Sequence, residues 1–547
     1  MVGRRFGALA LALACSWDIR GVLGGAVQAP VLVLPPEAAT YRQNTVDVFQ
    51  TSWNAYKWYA WGHDDLSPVS MSYSDAYGGW GASIVDALDT IVRCGFASYK
   101  DIFEEAVNFT LALDFTVTPT DDQIDLFETT IRYVAAALCA YELSGYKYPG
   151  LVDQAKVLVD NMAYAWVGDN AVPYGYMNWN QSTPVTGQTS NIAEAGTLTM
   201  EWGALSNFTG NQTYRELAEK AVIWIANLPP PLPALPAQGI DPATGQFVGS
   251  YVSWGGGSDS YFEYLIKWAR LSNTDNNIFA DAWAAAVDSS IQNLARTSTV
   301  LDWQYMADWD DGTIIHIGSH LECYLAGNWM LGGKLLNNET IVNYGLALME
   351  SCWNTYASTA TGIGPEYFGY FSSDGNYTGS SPSDGDIAFY EKHGFFIYPG
   401  ESDYYLRPEV LESNFYAWRV TGDPKYVERA ASALDSFMYY LEVPSSYAGI
   451  DDVDATDSAF IDDMQSFWFA EVLKYLYLTF DDPSNISLDD YVFNTEAHPF
   501  KAPPAKPVYG SGTPLSTNPS AFKSTSGPLP EVSPAPAVAP KPVASGL

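Results

Sequence analysis

Three pairs of charged residues share a spacing of three or four positions, which places both members on one face of a helix: Glu128 with Arg132, Asp259 with Glu263, and Glu409 with Glu412. Carboxyl groups arranged in this way suit glycosidic-bond hydrolysis, in which one carboxyl protonates the leaving oxygen and another activates water or attacks the sugar. Glycines 255–257 precede Asp259, so a loop is expected to deliver it to a helix N-terminus. Each pair also fits an ordinary ion pair, and spacing alone does not bring the three pairs together.

The segments that must position these residues have the pattern of helices. Apolar residues recur at helical spacing, for example along residues 131–141. Breaks containing glycine or asparagine, which tolerate the conformation of a C-terminal cap, occur at residues 94–99, 143–146, 205–210, 271–273, 331–333 and 420–423. The intervals of roughly 50–90 residues hold two helices and a loop. The pattern predicts an all-α fold built from helical pairs, either a closed α/α toroid or an open solenoid or bundle.

The composition predicts one large domain over residues 40–500. Apolar residues make up 47% of the 547 residues and aromatic residues 15%, which is enough for a large core. Residues 1–29 contain two arginines followed by a short apolar run, as in a secretory signal peptide, with an uncleaved signal anchor as the alternative. Residues 501–547 are rich in proline, serine and alanine and are expected to form a flexible tail.

The charge and the modification motifs indicate the environment. A formal charge of -37 argues against nucleic acid or anionic lipid as a partner, because phosphate groups would be repelled. Seven Asn-x-Ser/Thr sequons fit passage through the secretory pathway. We therefore expect a secreted protein, with no stable membrane span after signal removal, and a monomer.

Nine short segments occur in the order seen in one known family: residues 61–68, 79–90, 127–132, 258–264, 320–323, 364–366, 406–409, 464–471 and 489–500. The last contains Thr495-Glu496 within Phe493-Asn494-Thr495-Glu496-Ala497-His498-Pro499. Together these segments resemble the class I α-mannosidases, glycoside hydrolase family 47. The resemblance covers nearly the whole predicted domain and implies an (α/α)7 barrel.

The resemblance also implies the activity and the residues that carry it. The expected enzyme is a calcium-dependent, inverting exo-α-1,2-mannosidase acting on high-mannose N-glycans. Glu128 matches the general acid, Glu409 the general base and Asp259 a third essential carboxylate, whose division of labour with Glu128 stays open. Thr495 matches the residue that holds Ca2+, an ion that prefers hard oxygen ligands. Positions lining the sugar or the calcium-bound waters are matched by Arg132, Glu263, His320, Glu366, Arg407, Glu412, Phe467, Glu471 and Glu496.

Cysteines and one glycine add further expectations. The resemblance pairs Cys323 with Cys352, whereas Cys94 and Cys139 lie in apolar helical runs and are expected to be buried free thiols. Gly257 stands where the endoplasmic-reticulum members of the family carry arginine, which implies broad trimming of α-1,2-linked mannose.

A different class of function is a non-catalytic, mannose-binding lectin on the same barrel. A lectin need not keep Glu128, Asp259, Glu409 and Thr495, so the intact set favours the enzyme. Another α/α-barrel hydrolase, such as a glucoamylase, would leave the Thr495-Glu496 terminus unexplained.

Overall fold

The computed structural model describes residues 25–93, 100–120 and 122–512 of the chain. The α-helices of these residues are α1 (Ala38–Tyr59), α2 (Ala82–Asp86), α3 (Leu88–Arg93), α4 (Lys100–Ala112), α5 (Leu126–Glu128), α6 (Ala135–Leu143), α7 (Gly150–Met162), α8 (Ile192–Gly196), α9 (Thr199–Thr209), α10 (Thr213–Asn227), α11 (Asp259–Ser272), α12 (Ile278–Asn293), α13 (Tyr324–Leu335), α14 (Glu339–Ala357), α15 (Asp384–His393), α16 (Glu409–Thr421), α17 (Lys425–Tyr440) and α18 (Leu473–Phe480). Two π-helical turns, Thr129–Val134 and Trp468–Val472, lead into α6 and α18, and 3-10 turns lie at Ala163–Ala165, Trp179–Gln181 and Leu321–Cys323.

Short strands connect the helices and pair into small antiparallel sheets of two or three strands. In the described residues they are β1 (Asp65–Ser67), β2 (Ser72–Ser74), β3 (Ile124–Asp125), β4 (Tyr176–Asn178), β5 (Thr183–Pro184), β6 (Ser190–Asn191), β7 (Gly239–Asp241), β8 (Gln246–Val248), β9 (Ala295–Thr297), β10 (Gln304–Met306), β11 (Asp308–Asp310), β12 (Thr313–Ile315), β13 (Ile317–Ser319), β14 (Tyr367–Gly369), β15 (Phe396–Ile397), β16 (Gly449–Ile450), β17 (Phe460–Ile461), β18 (Tyr491–Phe493) and β19 (Pro499–Lys501).

Seven helical pairs of the described chain close into a barrel. The inner wall consists of α3, α6, α9, α11, α13, α16 and α18, each packed against the next, and the π turn before α18 returns to α3. Each inner helix also packs against an outer partner, in the same order α4, α7, α10, α12, α14, α17 and α1. The fold is therefore the all-α, (α/α)7 barrel that the resemblance predicted, and not an open solenoid.

Most predicted helix breaks coincide with helix ends. Gly210, Asn273 and Gly422 follow α9, α11 and α16 in the left-handed conformation, with φ of 77°, 47° and 71°. The break predicted at residues 331–333 is wrong, because these residues lie inside α13. Gly332 instead allows close packing, since a Cβ atom there would overlap the ring of Trp283. The break predicted at 94–99 lies outside the described residues.

The hairpin of β18 and β19 inserts among the inner helices. Strand β18 packs against α11, and β19 packs against α6. In the turn between them, the Asn494 side-chain amide donates to the backbone oxygen of Ile131 (3.0 Å) and to Glu201 Oε1 (2.9 Å). The hairpin therefore brings Thr495, which follows Asn494, against the inner wall of the barrel.

Packed structure extends beyond both predicted domain limits. The backbone N–H of Val27, a buried residue, donates to Asp489 Oδ1 (2.7 Å). Past residue 501, Tyr509 is also buried and its hydroxyl donates to Asn273 Oδ1 (2.7 Å). The predictions for residues 1–24 and 513–547 lie outside the described residues. Among the described helices, none has both the length and the apolar character needed to cross a bilayer.

The predicted disulfide is confirmed. Cys323 and Cys352 are joined, with 5.9 Å between their Cα atoms and a sequence separation of 29, and the bond ties the 3-10 turn directly before α13 to α14, the outer partner of α13. Cys139 is a buried free thiol, as expected. Cys94 lies outside the described residues.

Candidate active site

The candidate catalytic carboxyls lie at the N-terminal ends of inner-wall helices. Asp259 and Glu409 are the first residues of α11 and α16. Glu128 ends α5, directly before the π turn that leads into α6. The positive end of a helix macrodipole favours carboxylates at such positions. Glu471 lies in the second π turn, and π turns within helices often occur at functional sites.

Arg132 connects three of the predicted site residues. Its Nε donates to Glu128 Oε2 (2.8 Å), so the contact expected from the four-residue spacing is formed. Its Nη1 forms an ion pair with Glu496, a residue brought from the C-terminal hairpin. The guanidinium carbon lies 4.7 Å from the ring centre of Tyr77 and 5.6 Å from that of Phe467. These contacts gather Glu128, Glu496 and Phe467 around one guanidinium.

A second set of contacts surrounds Glu409. His320 Nδ1 lies 2.6 Å from Glu409 Oε2, and His320 Nε2 lies 2.7 Å from the Tyr356 hydroxyl. Burial alone would raise the pKa of Glu409, but the hydrogen bond from His320 and the charges of His320 and Arg407 outweigh it and hold that pKa below its ordinary value. Arg407 Nε in turn contacts both carboxylate oxygens of Glu366 at 2.6 Å. This environment favours an ionised Glu409.

Asp259 lies in the opposite kind of environment. Burial raises its pKa to about 7, and the charges of Glu263 and Glu409 contribute to the increase. The hydroxyl of Tyr324 donates to the backbone oxygen of Asp259 (2.7 Å), which fixes the start of the helix. Asp259 therefore keeps its proton to higher pH than Glu409 does, and carboxyls whose pKa values differ in this way are typical of acid–base sites.

Glu263 and Glu412 share one buried lysine. Lys267 forms a close ion pair with Glu263, and its Nζ lies 3.8 Å from Glu412 Oε1. Burial raises the pKa of Glu412 to about 8 even though the charge of Lys267 lowers it. Lys267 was not among the predicted site residues. Its position four residues after Glu263, on the same helix face, was a usable signal.

The turn that carries Thr495 is held by hydrogen bonds. The backbone N–H of Thr495 donates to the Tyr264 hydroxyl (3.3 Å), which itself donates to Glu201 Oε1 (2.6 Å). Asn494 Oδ1 accepts from the backbone N–H of Glu496 (3.0 Å). Within the described part of the chain, the hydroxyl and carbonyl oxygens of Thr495 accept no hydrogen bond, so both are open to a ligand.

The surroundings of Thr495 fit a hard cation held partly through water. Burial raises the pKa of Glu471 and of Glu496, and the charge of Glu496 is the next largest cause for Glu471, so this end of the barrel has an excess of carboxyls over cations. A divalent cation would relieve that repulsion. The described residues contain no group of three or more histidine, cysteine, aspartate or glutamate side chains that could hold a metal directly. Two oxygens from Thr495 with water as the remaining ligands suit Ca2+.

Direct contacts and charge interactions link the candidate carboxyls in series: Glu128 to Glu496 through Arg132, Glu496 to Glu471, Glu471 to Glu409, and Glu409 to Asp259. The residues that the sequence did not reveal are mainly those that hold the others: Lys267, Tyr264, Asn494 and Gln238. Asn494 lies inside the terminal motif and was accessible from it. Tyr264 likewise lies inside the segment 258–264, whereas Gln238 lies outside the nine segments, and only the folded chain gives it its contacts.

Gln238 occupies the space beside Gly257. Gly257 has φ of +87°, and a Cβ atom at this position would lie 2.8 Å from Gln238 Nε2. Gln238 is itself buried and donates to the backbone oxygen of Gly256 (2.6 Å). The position expected to control the rim of the pocket is therefore filled from the neighbouring loop.

Comparison with known proteins identifies the family of the chain. The model of glycosyl hydrolase family 47 matches residues 48–502. The chain is 37% identical to the probable mannosyl-oligosaccharide alpha-1,2-mannosidase 1B of Aspergillus clavatus, over 89% of this chain and 98% of that protein, and 36% identical to the corresponding enzyme of Emericella nidulans, over 88% and 97%. The solved structure of the alpha-1,2-mannosidase from Trichoderma reesei superposes with a TM-score of 0.81 at 35% identity, covering 85% of this chain and 99% of that one. A match of this extent shows that the chain belongs to glycosyl hydrolase family 47.

Proposed function

We propose that the protein is a calcium-dependent, inverting exo-α-1,2-mannosidase that removes terminal mannose from high-mannose N-glycans. The observation that supports the proposal is the series of contacts and charge interactions that links Glu128, through Arg132, Glu496 and Glu471, to Glu409 and Asp259, with Thr495 adjacent to Glu496 in the chain. The relatives named as α-1,2-mannosidases, which match nearly the whole chain, support the same linkage.

Glu409 is the base in this mechanism. Because His320 and Arg407 favour its ionised form, it takes a proton from a water molecule as that water attacks the anomeric carbon. Glu128 donates a proton to the departing glycosidic oxygen, and Asp259 is the third carboxyl of the site. Attack by water on the face opposite the leaving group inverts the configuration of the anomeric carbon. Phe467, beside Arg132, offers an apolar surface to the sugar ring.

Thr495 would hold Ca2+ through its hydroxyl and carbonyl oxygens, with Glu471 and Glu496 acting through water. When bound, the ion would coordinate hydroxyl groups of the terminal sugar, and it would offset the negative charge of the surrounding carboxyls. The proton transfers themselves remain with the side chains.

Two finer features belong to the proposal. Broad branch specificity is supported by Gly257, which presents no arginine side chain at the rim of the pocket, and by Gln238, which fills the space beside it. Passage through the secretory pathway is supported by the disulfide and the sequons. Val27 is buried in the body of the protein, so the signal peptide would be removed before that residue.

The test is hydrolysis of α-1,2-mannobiose, followed by NMR to identify the anomer first released. We expect β-mannose from an α-linked substrate, no activity with a chelator, and recovery with Ca2+. Glu409→Gln should lower kcat by about a thousandfold or more while binding persists, because the general base and its charge are lost. Glu428→Gln, on the exposed face of α17, is the matched control. Full activity of Glu409→Gln would refute the role as base.

The alternative, a lectin on the same barrel, predicts mannose binding without turnover. The open oxygens of Thr495 suit either function, so binding data alone do not separate them. Release of mannose that stops on removal of Ca2+ decides for the enzyme, and calcium-dependent binding with no release decides for the lectin.

A further inference from the structure

Ser466, which has no role in the proposed mechanism, joins two charged side chains. It is fully buried and directly precedes Phe467. Its hydroxyl oxygen lies 2.5 Å from Asp86 Oδ2 and 3.2 Å from Arg132 Nη1. A guanidinium can only donate, so the oxygen of Ser466 accepts from Arg132 and its single hydrogen is directed to Asp86. The hydrogen bonds therefore run in one direction, from Arg132 through Ser466 to Asp86.

The serine fills a gap between two charges that are too far apart for a direct hydrogen bond. Arg132 Nη1 lies 3.7 Å from Asp86 Oδ2, whereas an N–H···O hydrogen bond is about 2.7–3.2 Å long. None of the three residues is more than 5% exposed. Removing only the hydroxyl of Ser466 therefore breaks the hydrogen-bonded connection and leaves both charges in place.

Asp86 is the fixed end of this series of contacts. Its Oδ1 lies 2.9 Å from His498 Nε2, and the other ring nitrogen of His498 lies 3.1 Å from Asp89 Oδ1. The backbone N–H of His498 donates to Asn494 Oδ1 (2.8 Å), in the turn of the hairpin of β18 and β19. Asp86, Asp89 and His498 are all at most 1% exposed. A movement of Asp86 toward Arg132 would lengthen its contact with His498, so Asp86 is a firm support.

At the other end, Arg132 connects the series to Glu128. Arg132 Nε donates to Glu128 Oε2 (2.8 Å), and within the described residues no other side chain donates to the Glu128 carboxylate. The side chain of Glu128 is 29% exposed, so packing alone does not fix its carboxyl group. Two contacts at Nη1 set the rotation of the guanidinium: the ion pair with Glu496 and the hydrogen bond to Ser466. The orientation of Glu128 thus depends on Ser466 through Arg132.

We propose that Ser466 is a positioning residue for the general acid: supported by Asp86, it holds the Arg132 guanidinium in the orientation in which Nε presents Glu128 to the leaving oxygen. The inference rests on the proposed role of Glu128 as general acid. Ser466 keeps its hydrogen throughout the reaction and acts only through Arg132. Loss of its hydroxyl should therefore slow proton donation and leave substrate binding largely unchanged.

Ser466→Ala is the direct test, because it removes the hydroxyl and no charge. With α-1,2-mannobiose, kcat should fall by about 10–100-fold and KM should change by less than about threefold, since a displaced acid slows the transfer of the proton. With α-mannosyl fluoride, whose leaving group needs no proton, kcat should fall by less than about threefold. The increase in melting temperature that Ca2+ produces should persist, because Thr495 and Glu496 are unchanged.

Two further variants separate this role from a general loss of structure. Ser289→Ala is the matched control, because Ser289 is also fully buried and accepts from Asn293 Nδ2 (3.1 Å), but lies on the outer helix α12. It should leave kcat unchanged with both substrates. If Ser466→Ala does not fold, Ser466→Cys replaces it: a thiol is a weaker donor, so the loss should be smaller and again confined to mannobiose.

A series of contacts also predicts that substitutions along it are not additive. Combining Ser466→Ala with Asp86→Asn should lower kcat on mannobiose no further than Asp86→Asn alone does. An unchanged kcat on mannobiose, an equal loss with the fluoride, loss of the Ca2+ effect, or additive losses in the double variant would overturn the inference. The same selective loss in Ser289→Ala would also overturn it. Full activity of Glu128→Gln on mannobiose would instead overturn the proposed function.

Discussion

Replacing Gly257 tests the contact between this glycine and Gln238. In Gly257→Ala, a non-glycine residue must adopt φ of +87°, which costs about 1–2 kcal/mol. The new Cβ atom would also lie 2.8 Å from Gln238 Nε2 and 2.9 Å from its Cδ, so the buried amide must move and release the backbone oxygen of Gly256. Leaving these groups unpaired costs about 1–3 kcal/mol more. The expected loss in the free energy of unfolding is about 2–5 kcal/mol.

Gly400→Ala is the matched control, because Gly400 has φ of +86° and no heavy atom within 4 Å of an added Cβ atom. Gly400→Ala should lose only the part of the free energy of unfolding that comes from the backbone conformation. The effect of alanine on the unfolded chain is the same in both variants and cancels in the comparison. Urea unfolding measures both. The difference of about 1–3 kcal/mol is the contribution of Gln238. Equal losses in the two variants would refute the reasoning.

The same contact changes what an arginine at this position is expected to do. Gly257→Arg alone should lower the free energy of unfolding by at least as much as Gly257→Ala does. A companion Gln238→Ala removes the obstructing amide, so the double variant should be more stable than the sum of the two single effects predicts. On a high-mannose glycan, the double variant should give a narrower set of trimmed products. An unchanged digestion profile in a folded double variant would contradict the proposed control of branch specificity.

Three further predictions concern the base, the calcium site and the disulfide. His320→Gln removes a partner that favours the ionised form of Glu409, so the pKa of Glu409 should rise. Because activity is lost as pH falls through that pKa, the acidic limb of the kcat/KM profile should move to higher pH. An unmoved limb would contradict the role of His320 in keeping Glu409 ionised. Thr495→Ala should abolish the increase in melting temperature that Ca2+ produces, whatever its effect on activity, and a retained increase would place the ion elsewhere. Replacing Cys323 and Cys352 by alanine opens a loop of 29 positions and should lower the free energy of unfolding by about 3–4 kcal/mol in urea titrations, whereas no loss would indicate that packing alone holds α13 and α14 together.

Local relations along the chain were accessible from the sequence. Arg132 contacts Glu128 and Lys267 contacts Glu263 because residues four apart share a helix face. The capping residues Asn273 and Gly422 marked helix ends, since few residue types adopt positive φ. The same rule failed at Gly332, where glycine serves close helix packing, and a local pattern does not distinguish these two uses.

The sequence by itself determined the helical type of the chain, the helix positions of the candidate carboxyls and, through its ordered motifs, the family and the disulfide. Tertiary structure decided which carboxyls meet and how strongly each holds a proton. Arg132 reaches Glu496 across 364 positions only because the barrel closes and the hairpin of β18 and β19 enters it. The contrast between Glu409 and Asp259 likewise depends on burial and on neighbours such as His320 and Glu263. Spacing fixes neighbours within a helix turn, whereas desolvation and long-range charge exist only after the chain has folded.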